Sequence, residues 1–368
     1  MIRLVVTTGG TGGHIFPALS VAAAVRRLDP EAAVYFIGGG GPEGALATKA
    51  GLPFVGLPAK GVFGRGLRAL AAPFWMAKAF GQAVRQLQNI RPQVVAGFGG
   101  YAGFIPVVAA RLMGIPTAIH EQNSIPGMTN KLLGRFVDRV FVTYPDKDHA
   151  FPVGRTVRLG NPIRGDIAAA VSPCRPERRH LLVLGGSQGA RAVNDAVLDV
   201  LPRLLDAGIK VRLQAGRADF DRAGVRAAEL LHHRGRDTDG PALVIENFIE
   251  DMGEAYAWAD LVLARSGATT LAEVTAAGKP AILIPFPFAT HDHQAVNAAF
   301  LGESGAALVI PQDTLPERDL AGTILELFND PARLSAMAEA ASGQAMPQAA
   351  ERIAMALLDL AAQKGDAR

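Results

Sequence analysis

The chain has one cysteine, Cys174, in 368 residues. A lone thiol excludes an internal disulfide framework and a cysteine-ligated zinc site, and it suits a reducing cytoplasm. No stretch of about 20 uncharged apolar residues occurs, so no helix is expected to span a membrane. The opening MIRLVVTTGGTGGH reads as a strand running into a glycine loop, without the apolar region and cleavage site expected of a signal peptide. There is no clear Lys/Arg run with interleaved aromatics, and a net charge of +3 selects no partner, so nucleic-acid binding is not expected. The first glycine loop lacks both the lysine of a P-loop and the spacing of the dinucleotide fingerprint, and no Asp-x-Asp motif stands out as a metal site. What remains is 49% hydrophobic and 19% charged, an ordinary globular balance at a length that suggests two domains.

Short apolar strands alternate with helical segments along the first half, the pattern of a parallel α/β sheet. Residues 2–6 form a β-branched run that feeds Thr7-Thr8-Gly9-Gly10-Thr11-Gly12-Gly13-His14 and then a helix over about 17–28. Further strands are expected at 34–37, 94–98 and 117–120, with a second glycine loop at 97–101 leading to a helix near 105–113. His120-Glu121-Gln122-Asn123 follows the last of these strands. Ligands of parallel sheets gather at the carboxyl ends of strands, so these loops are expected to share one crevice. An imidazole directly after four glycines, His14, could take a proton from an attacking hydroxyl; capping or packing is the plainer alternative.

The irregular segment 144–164 marks a domain junction, and a second series follows: a strand at 181–184, a loop Gly185-Gly186-Ser187-Gln188-Gly189, a helix from about 192, and strands at 210–214 and 242–245. The stretch 261–294 then reads as a βαβ unit: a strand at 261–264, a turn Arg265-Ser266-Gly267, a helix over 268–277 and a strand at 281–284. Thr269 and Thr270 at the helix start, with Glu273 lower on the same face, suit a nucleoside diphosphate, though the stretch also serves as a plain packing unit. The tail over about 334–360 is Ala-rich, expected to be helical and to pack across both halves. In 61–88, Leu67, Leu70, Phe74, Trp75, Met76 and Phe80 are flanked by Arg65, Arg68, Lys78 and Arg85. Exposed, this is an apolar patch with a cationic rim suited to an anionic membrane; the residues alone favour a buried amphipathic helix with snorkelling cations.

Together, GGTGGHIFPAL (9–19), GFGGYAGF (97–104), HEQNSIPGMTNK (120–131), GNPIR (160–164), GGSQGAR (185–191), ENFIEDM (246–252) and YAWADLVLARSGATTLAE (256–273) with HQ (293–294) resemble the bacterial peptidoglycan glycosyltransferases that convert lipid I to lipid II. The motifs run in family order over most of the chain. The resemblance implies a GT-B fold, with two Rossmann-like α/β domains facing across a deep cleft: 1–161 plus a C-terminal helix at about 345–368 for the acceptor and the membrane, and 162–344 for the UDP-sugar. It implies an inverting hexosyltransferase moving N-acetylglucosamine from UDP-N-acetylglucosamine to the muramyl 4-hydroxyl of the undecaprenyl-pyrophosphate-linked acceptor. Donor contacts would fall on Thr11, Gly12, Gly13, Asn123, Arg164, Ser187, Ile249, Ala268, Thr269, Thr270, Leu271, Ala272, Glu273 and Gln294, with Glu273 on the ribose and Gln294 on the sugar. Acceptor contacts would fall on Gly10, His14, Gly99, Gly100 and Tyr101, with His14 the first choice for catalytic base and Glu121 the second. No metal is required, a divalent ion being optional.

The resemblance also turns the Leu67, Arg68, Leu70, Phe74, Trp75, Lys78 and Phe80 patch outward. It implies a peripheral enzyme on the cytoplasmic face of the inner membrane, with division and wall-synthesis proteins as further partners. Departures are small: His293 stands where some members have Gln, and Ala295-Val296 where some have bulkier residues. Two rivals are a UDP-N-acetylglucosamine 2-epimerase, which shares the two-domain plan but uses several acidic residues, and an inert nucleotide-sugar-binding or scaffold subunit.

Overall fold

The computed structural model describes residues 1–58, 72–169, 175–186, 189–232, 242–289 and 292–363. The chain forms two compact units, Met1–Arg164 with Pro347–Arg368, and Gly165–Met346. In the first, β1 (Arg3–Thr8) runs into α1 (Gly12–Leu28), followed by β2 (Ala33–Gly38), α2 (Glu43–Lys49), β3 (Phe54–Gly56) and α3 (Ala72–Ile90). Then come β4 (Val94–Gly97), α4 (Tyr101–Leu112), β5 (Thr117–Glu121), α5 (Met128–Leu133), β6 (Arg139–Val142) and β7 (Thr156–Arg158). The second unit holds α6 (Gly165–Ala169), β8 (His180–Leu184), α7 (Arg191–Asp206), β9 (Lys210–Gln214), α8 (Phe220–Leu231), β10 (Leu243–Glu246) and α9 (Met252–Trp258). It continues with β11 (Leu261–Ala264), α10 (Ala268–Ala276), β12 (Ala281–Leu283), α11 (His293–Glu303), β13 (Ala307–Val309), α12 (Leu320–Asn329) and α13 (Pro331–Gly343). A last helix, α14 (Ala349–Ala362), belongs to the first unit.

Among the described residues the first sheet has the order β3-β2-β1-β4-β5-β6-β7 and the second β10-β9-β8-β11-β12-β13, with every pairing parallel. The central strands are apolar on both faces, as they must be when helices cover each side: Leu4, Val5 and Val6, and Leu181, Leu182 and Val183, are fully buried. Strand order reverses between β1 and β4 in one sheet and between β8 and β11 in the other. Such switch points open a crevice at the strand carboxyl ends. The loops after these strands include the glycine-rich segments 9–11, 98–100, 185–186 and 189–190, and the turn 265–267.

Several expectations shift. Pro is favoured in a helix's first turn, which is why 17 reads as the start, yet α1 begins at Gly12 with Thr11 as an extended N-cap, so His14 lies in the helix rather than before it. β3, β6, β7 and β13 were not foreseen; each is three or four residues long, and β7 falls inside the segment expected to be irregular. The helical tail is two helices. α13 stays in the second unit, whereas α14 buries Ala350, Ile353, Ala354, Leu357, Leu360 and Ala361 in the core beneath α1.

Candidate active site

In the first unit the two glycine loops lie directly on each other. The Gly9 N–H donates to the Gly99 carbonyl at 3.3 Å, and the Thr8 hydroxyl donates to the same oxygen at 3.2 Å. Gly99 and Gly100 have φ of +93° and +75°, and a Cβ on Gly100 would lie 2.0 Å from the Gly9 carbonyl oxygen. Gly10, at φ +116°, donates its N–H to the buried Glu43 carboxylate at 2.9 Å, so that N–H is turned toward α2. Thr11 is exposed, its side chain makes no cap hydrogen bond, and the first turn of α1 has no acidic residue. The positive end of the α1 dipole is therefore not offset by a carboxylate of its own turn, a favourable place for an anion. Tyr101 opens α4 behind Gly100, and partial burial raises its phenol pKa.

His14 is half-buried, with its Nδ1 3.0 Å from Gln122 Oε1. Gln122 Nε2 lies 3.0 Å from the Phe98 carbonyl and 3.2 Å from His120 Nδ1, and His120 Nε2 lies 2.9 Å from the Gly160 carbonyl. Burial lowers the His120 pKa to about 4, against a smaller upward pull from the Gly160 hydrogen bond, and the charge of His14 adds to the lowering. His120 is thus neutral in the folded protein at neutral pH. An unfolded histidine titrates near 6.5, so between that pH and about 4 the unfolded chain binds the extra proton and stability falls as pH falls. The loss should be on the order of 3 kcal/mol by pH 4. Denaturant midpoints at pH 7 and 4.5 should converge when His120→Gln removes the group; an unchanged gap would place the acid sensitivity elsewhere.

Glu121 is buried, and both carboxylate oxygens accept hydrogen bonds: Oε1 from the Asn123 N–H (3.0 Å) and side-chain amide (3.4 Å), Oε2 from the Gly127 N–H (3.0 Å) and Asn130 (2.8 Å). It braces the loop that carries Asn123. Arg164 closes this side of the first unit with its guanidinium 5.7 Å from the Phe16 ring centre.

In the second unit Gly185 and Gly189 pack against the end of β9, where a Cβ would meet the carbonyl oxygens of Gln214 and Ala215 at 2.9 and 2.8 Å. Ser187 lies outside the described residues. α10 begins after Gly267, which offers no side-chain cap, and its first turn has no acid. Thr269, Thr270, Ala272 and Glu273 are half-buried on α10, whereas Ala268 and Leu271 are buried, leaving Leu271 chiefly a packing residue. Glu273 accepts a hydrogen bond from the Tyr256 hydroxyl at 3.1 Å. The turn before the helix is tied down: the Ser266 hydroxyl donates to the Gln294 carbonyl at 2.8 Å, and Gln294 Oε1 accepts from the Phe286 N–H at 3.0 Å. Arg265 donates to the carbonyls of Ile284 and Pro285 at 3.1 and 3.0 Å, and burial lowers its pKa to about 10. Ile249 is fully buried, with its N–H donated to Gln214 Oε1 at 3.1 Å.

The described part of the patch is only partly exposed. Phe74 is 78% exposed, Met76 and Lys78 are exposed, and Trp75 and Phe80 are half-buried, while Ala79, Ala83 and Leu87 pack inward. The burial that residue pattern alone favoured is corrected for Phe74 and Met76, which lie off the inward stripe of α3, whereas Phe80 packs partly against the core. Leu67, Arg68 and Leu70 lie outside the described residues. No helix among the described residues is long and apolar enough to cross a membrane, and none of them form a group of three or more His, Cys, Asp or Glu able to hold a metal ion. In the described Asp146-Lys147-Asp148, Asp146 closes a turn by accepting from the Ala150 and Phe151 N–H groups at 2.9 Å.

Glu43 and Tyr256 escaped the sequence reading as site residues because each acts from a distance, 33 and 17 positions from the group it holds. Tyr256 did carry a signal, since it opens the longest of the resembling motifs.

Two doubly wound parallel sheets, each with small-residue loops at its switch point, make the GT-B architecture of nucleotide-sugar glycosyltransferases. Residues 4–142 match the glycosyltransferase family 28 N-terminal domain and residues 180–353 its C-terminal domain. The chain is 69% identical to the UDP-N-acetylglucosamine--N-acetylmuramyl-(pentapeptide) pyrophosphoryl-undecaprenol N-acetylglucosamine transferase of Solidesulfovibrio magneticus, over 100% of both chains. The crystal structure of Acinetobacter baumannii MurG is similar at 31% identity and a TM-score of 0.77, covering 98% of this chain and 100% of that one. A UDP-GlcNAc 2-epimerase from Neisseria meningitidis shares the fold alone, at 12% identity and a TM-score of 0.67, over 98% of this chain and 100% of that one. The chain belongs to glycosyltransferase family 28 and, within it, to the N-acetylglucosamine transferases of which the Solidesulfovibrio protein is a member.

Proposed function

We propose that this protein transfers N-acetylglucosamine from UDP-N-acetylglucosamine to the muramyl 4-hydroxyl of lipid I, releasing UDP and lipid II for peptidoglycan synthesis. The observation that carries this is the end-to-end 69% identity to a transferase named for that donor and acceptor. Inversion requires one in-line displacement: the hydroxyl oxygen bonds to the anomeric carbon, the bond to UDP breaks, and a base takes the proton. His14 is that base, reached from the crossed glycine loops at Gly10, Gly99, Gly100 and Tyr101 that receive the acceptor pyrophosphate. Glu121 supports it as a brace, its oxygens already engaged by four donors.

The donor lies on the second unit. Thr269 and Thr270 at the start of α10 meet the diphosphate, Glu273 the ribose and Gln294 the sugar, with Ser187, Ile249, Ala268 and Ala272 around them, while Leu271 packs the helix that carries them. Charge on the departing UDP is met by the α10 N-terminus and its hydroxyls, so the scheme needs no divalent ion. The exposed Phe74 and Lys78 and the half-buried Trp75 at the start of α3, continuing the sequence of Leu67, Arg68 and Leu70, would seat the enzyme on the anionic cytoplasmic face of the inner membrane, near the lipid-linked acceptor and the wall-synthesis and division proteins that use its product.

The test is incubation with UDP-N-acetylglucosamine and a short-chain lipid I analogue. UDP release with a disaccharide product is expected; an epimerised UDP-sugar without acceptor would favour the 2-epimerase chemistry of the fold neighbours, and no turnover would favour a binding subunit. Within this scheme Glu273→Ala should weaken UDP-sugar affinity about tenfold, the effect of losing one charge-assisted hydrogen bond of about 1.5 kcal/mol. Calorimetric titration reads it directly, and an unchanged Kd would remove Glu273 from the ribose.

A further inference from the structure

We infer that Gln122 is a positioning residue that fixes His14 as its Nδ1–H tautomer and thereby presents the Nε2 lone pair to the acceptor hydroxyl. The inference rests on the assignment of His14 as base and adds the group that makes it one.

The direction of every proton in this chain follows from two backbone carbonyls, which only accept. The Phe98 carbonyl lies 3.0 Å from one end of the Gln122 amide, so that end is the NH₂; the reverse orientation would set two oxygens face to face. Gln122 Oε1 therefore points at His14 Nδ1, 3.0 Å away, and since that oxygen also only accepts, Nδ1 carries the hydrogen. A neutral imidazole protonated at Nδ1 has its lone pair at Nε2. The second carbonyl gives the same sense independently. His120 Nε2, 2.9 Å from the Gly160 carbonyl, must be the N–H, which leaves His120 Nδ1 to accept the other Gln122 amide hydrogen at 3.2 Å.

Burial grades along the chain in the useful direction. His120 and Gln122 are each 1% exposed, held inside the fold, while His14 is only half-buried. Gly99 seats the ring: a Cβ there would lie 3.1 Å from His14 Nδ1 and 3.2 Å from Cε1, so the bare backbone lets the imidazole lie close to the second glycine loop. During transfer the hydroxyl proton passes to Nε2 as the new glycosidic bond forms and the bond to UDP breaks. Nδ1–H stays on Gln122 throughout. With the opposite tautomer an N–H would face the hydroxyl and no proton could be accepted. The amide thus performs the orienting task that a carboxylate performs in hydrolase triads, without that carboxylate's charge.

The tautomer is read by ¹⁵N NMR of histidine-labelled protein at alkaline pH, with the His14 signals identified by their absence in His14→Ala. The wild type should show Nδ1–H alone. Gln122→Met, similar in shape but unable to hydrogen-bond, should populate Nε2–H and lower kcat at least about tenfold, with KM for UDP-N-acetylglucosamine unchanged. Gln122→Glu, protonated on the oxygen that faces the Phe98 carbonyl and accepting from Nδ1–H on the other, should restore the Nδ1–H signal and exceed the Met variant in kcat. A wild-type Nε2–H tautomer, or a Met variant with the wild-type spectrum and kcat, would overturn the inference. If the Met variant does not fold, the wild-type and Glu spectra decide it. Normal turnover in His14→Ala is a different failure: it would dismiss the base assignment while leaving the tautomer result standing.

Discussion

His14→Ala should lower turnover roughly a hundred- to ten-thousandfold, the usual contribution of a positioned general base, while UDP-N-acetylglucosamine binding stays within about twofold, well under the 1.4 kcal/mol of a tenfold change. The split follows from where the residues sit. His14 lies in the first turn of α1 in the first unit, with one ring nitrogen occupied by Gln122, whereas the proposed diphosphate and ribose contacts sit on α10 of the second. Steady-state turnover with a short-chain acceptor and a separate donor titration measure the two halves. Equal losses in both would mean that His14 supports the fold or the donor, and near-normal turnover would move the base elsewhere.

Gly100→Ala should be the most destabilising single change in the first unit. At φ +75° and ψ 161° the backbone occupies a region open almost only to glycine, and the added Cβ would fall 2.0 Å from the Gly9 carbonyl oxygen and 3.1 Å from the Gly9 nitrogen. Neither obstacle is a flexible side-chain end, so the two loops must separate, losing the Gly9 and Thr8 hydrogen bonds to Gly99. The expected loss is about 4 kcal/mol or more, on the order of 10 °C in Tm, with activity lost even where the variant folds. Gly40→Ala is the control, because nothing lies within 4 Å of a Cβ there; it should shift Tm by no more than about 2 °C. Similar melting of the two variants would mean that the crossing of the loops is not a close contact in solution.

The parts legible in the sequence were those with a local cause. β9 and β11 stand at the foreseen residues, and α10 ends one residue early, since alternating or continuous apolar residues and small-residue turns specify themselves. The glycine loops were recognisable for the same reason. What the loops touch was not: that Gly10 turns its N–H to Glu43, or that Gly9 donates to Gly99, depends on which strands become neighbours. The short strands β3 and β13 have too few residues to show a period; β3 takes its register from the longer β2, and β13 pairs along its whole length with the equally short β12. His120, Glu121, Gln122 and Asn123 were visible as polar residues at a strand end. Their different tasks became separable only once the carbonyls of Phe98 and Gly160 were in place beside them.

The return of α14 to the first unit sets an order of assembly during synthesis. Ile353, Ala354 and Leu357 complete the core beneath α1, yet they leave the ribosome after every residue of the second unit. At about 5–20 residues per second, the amino-terminal unit waits roughly 10 to 40 seconds with one face of its core uncovered. The unit translated second is thus the first able to finish folding, and the segment carrying His14 is the one most in need of a chaperone meanwhile.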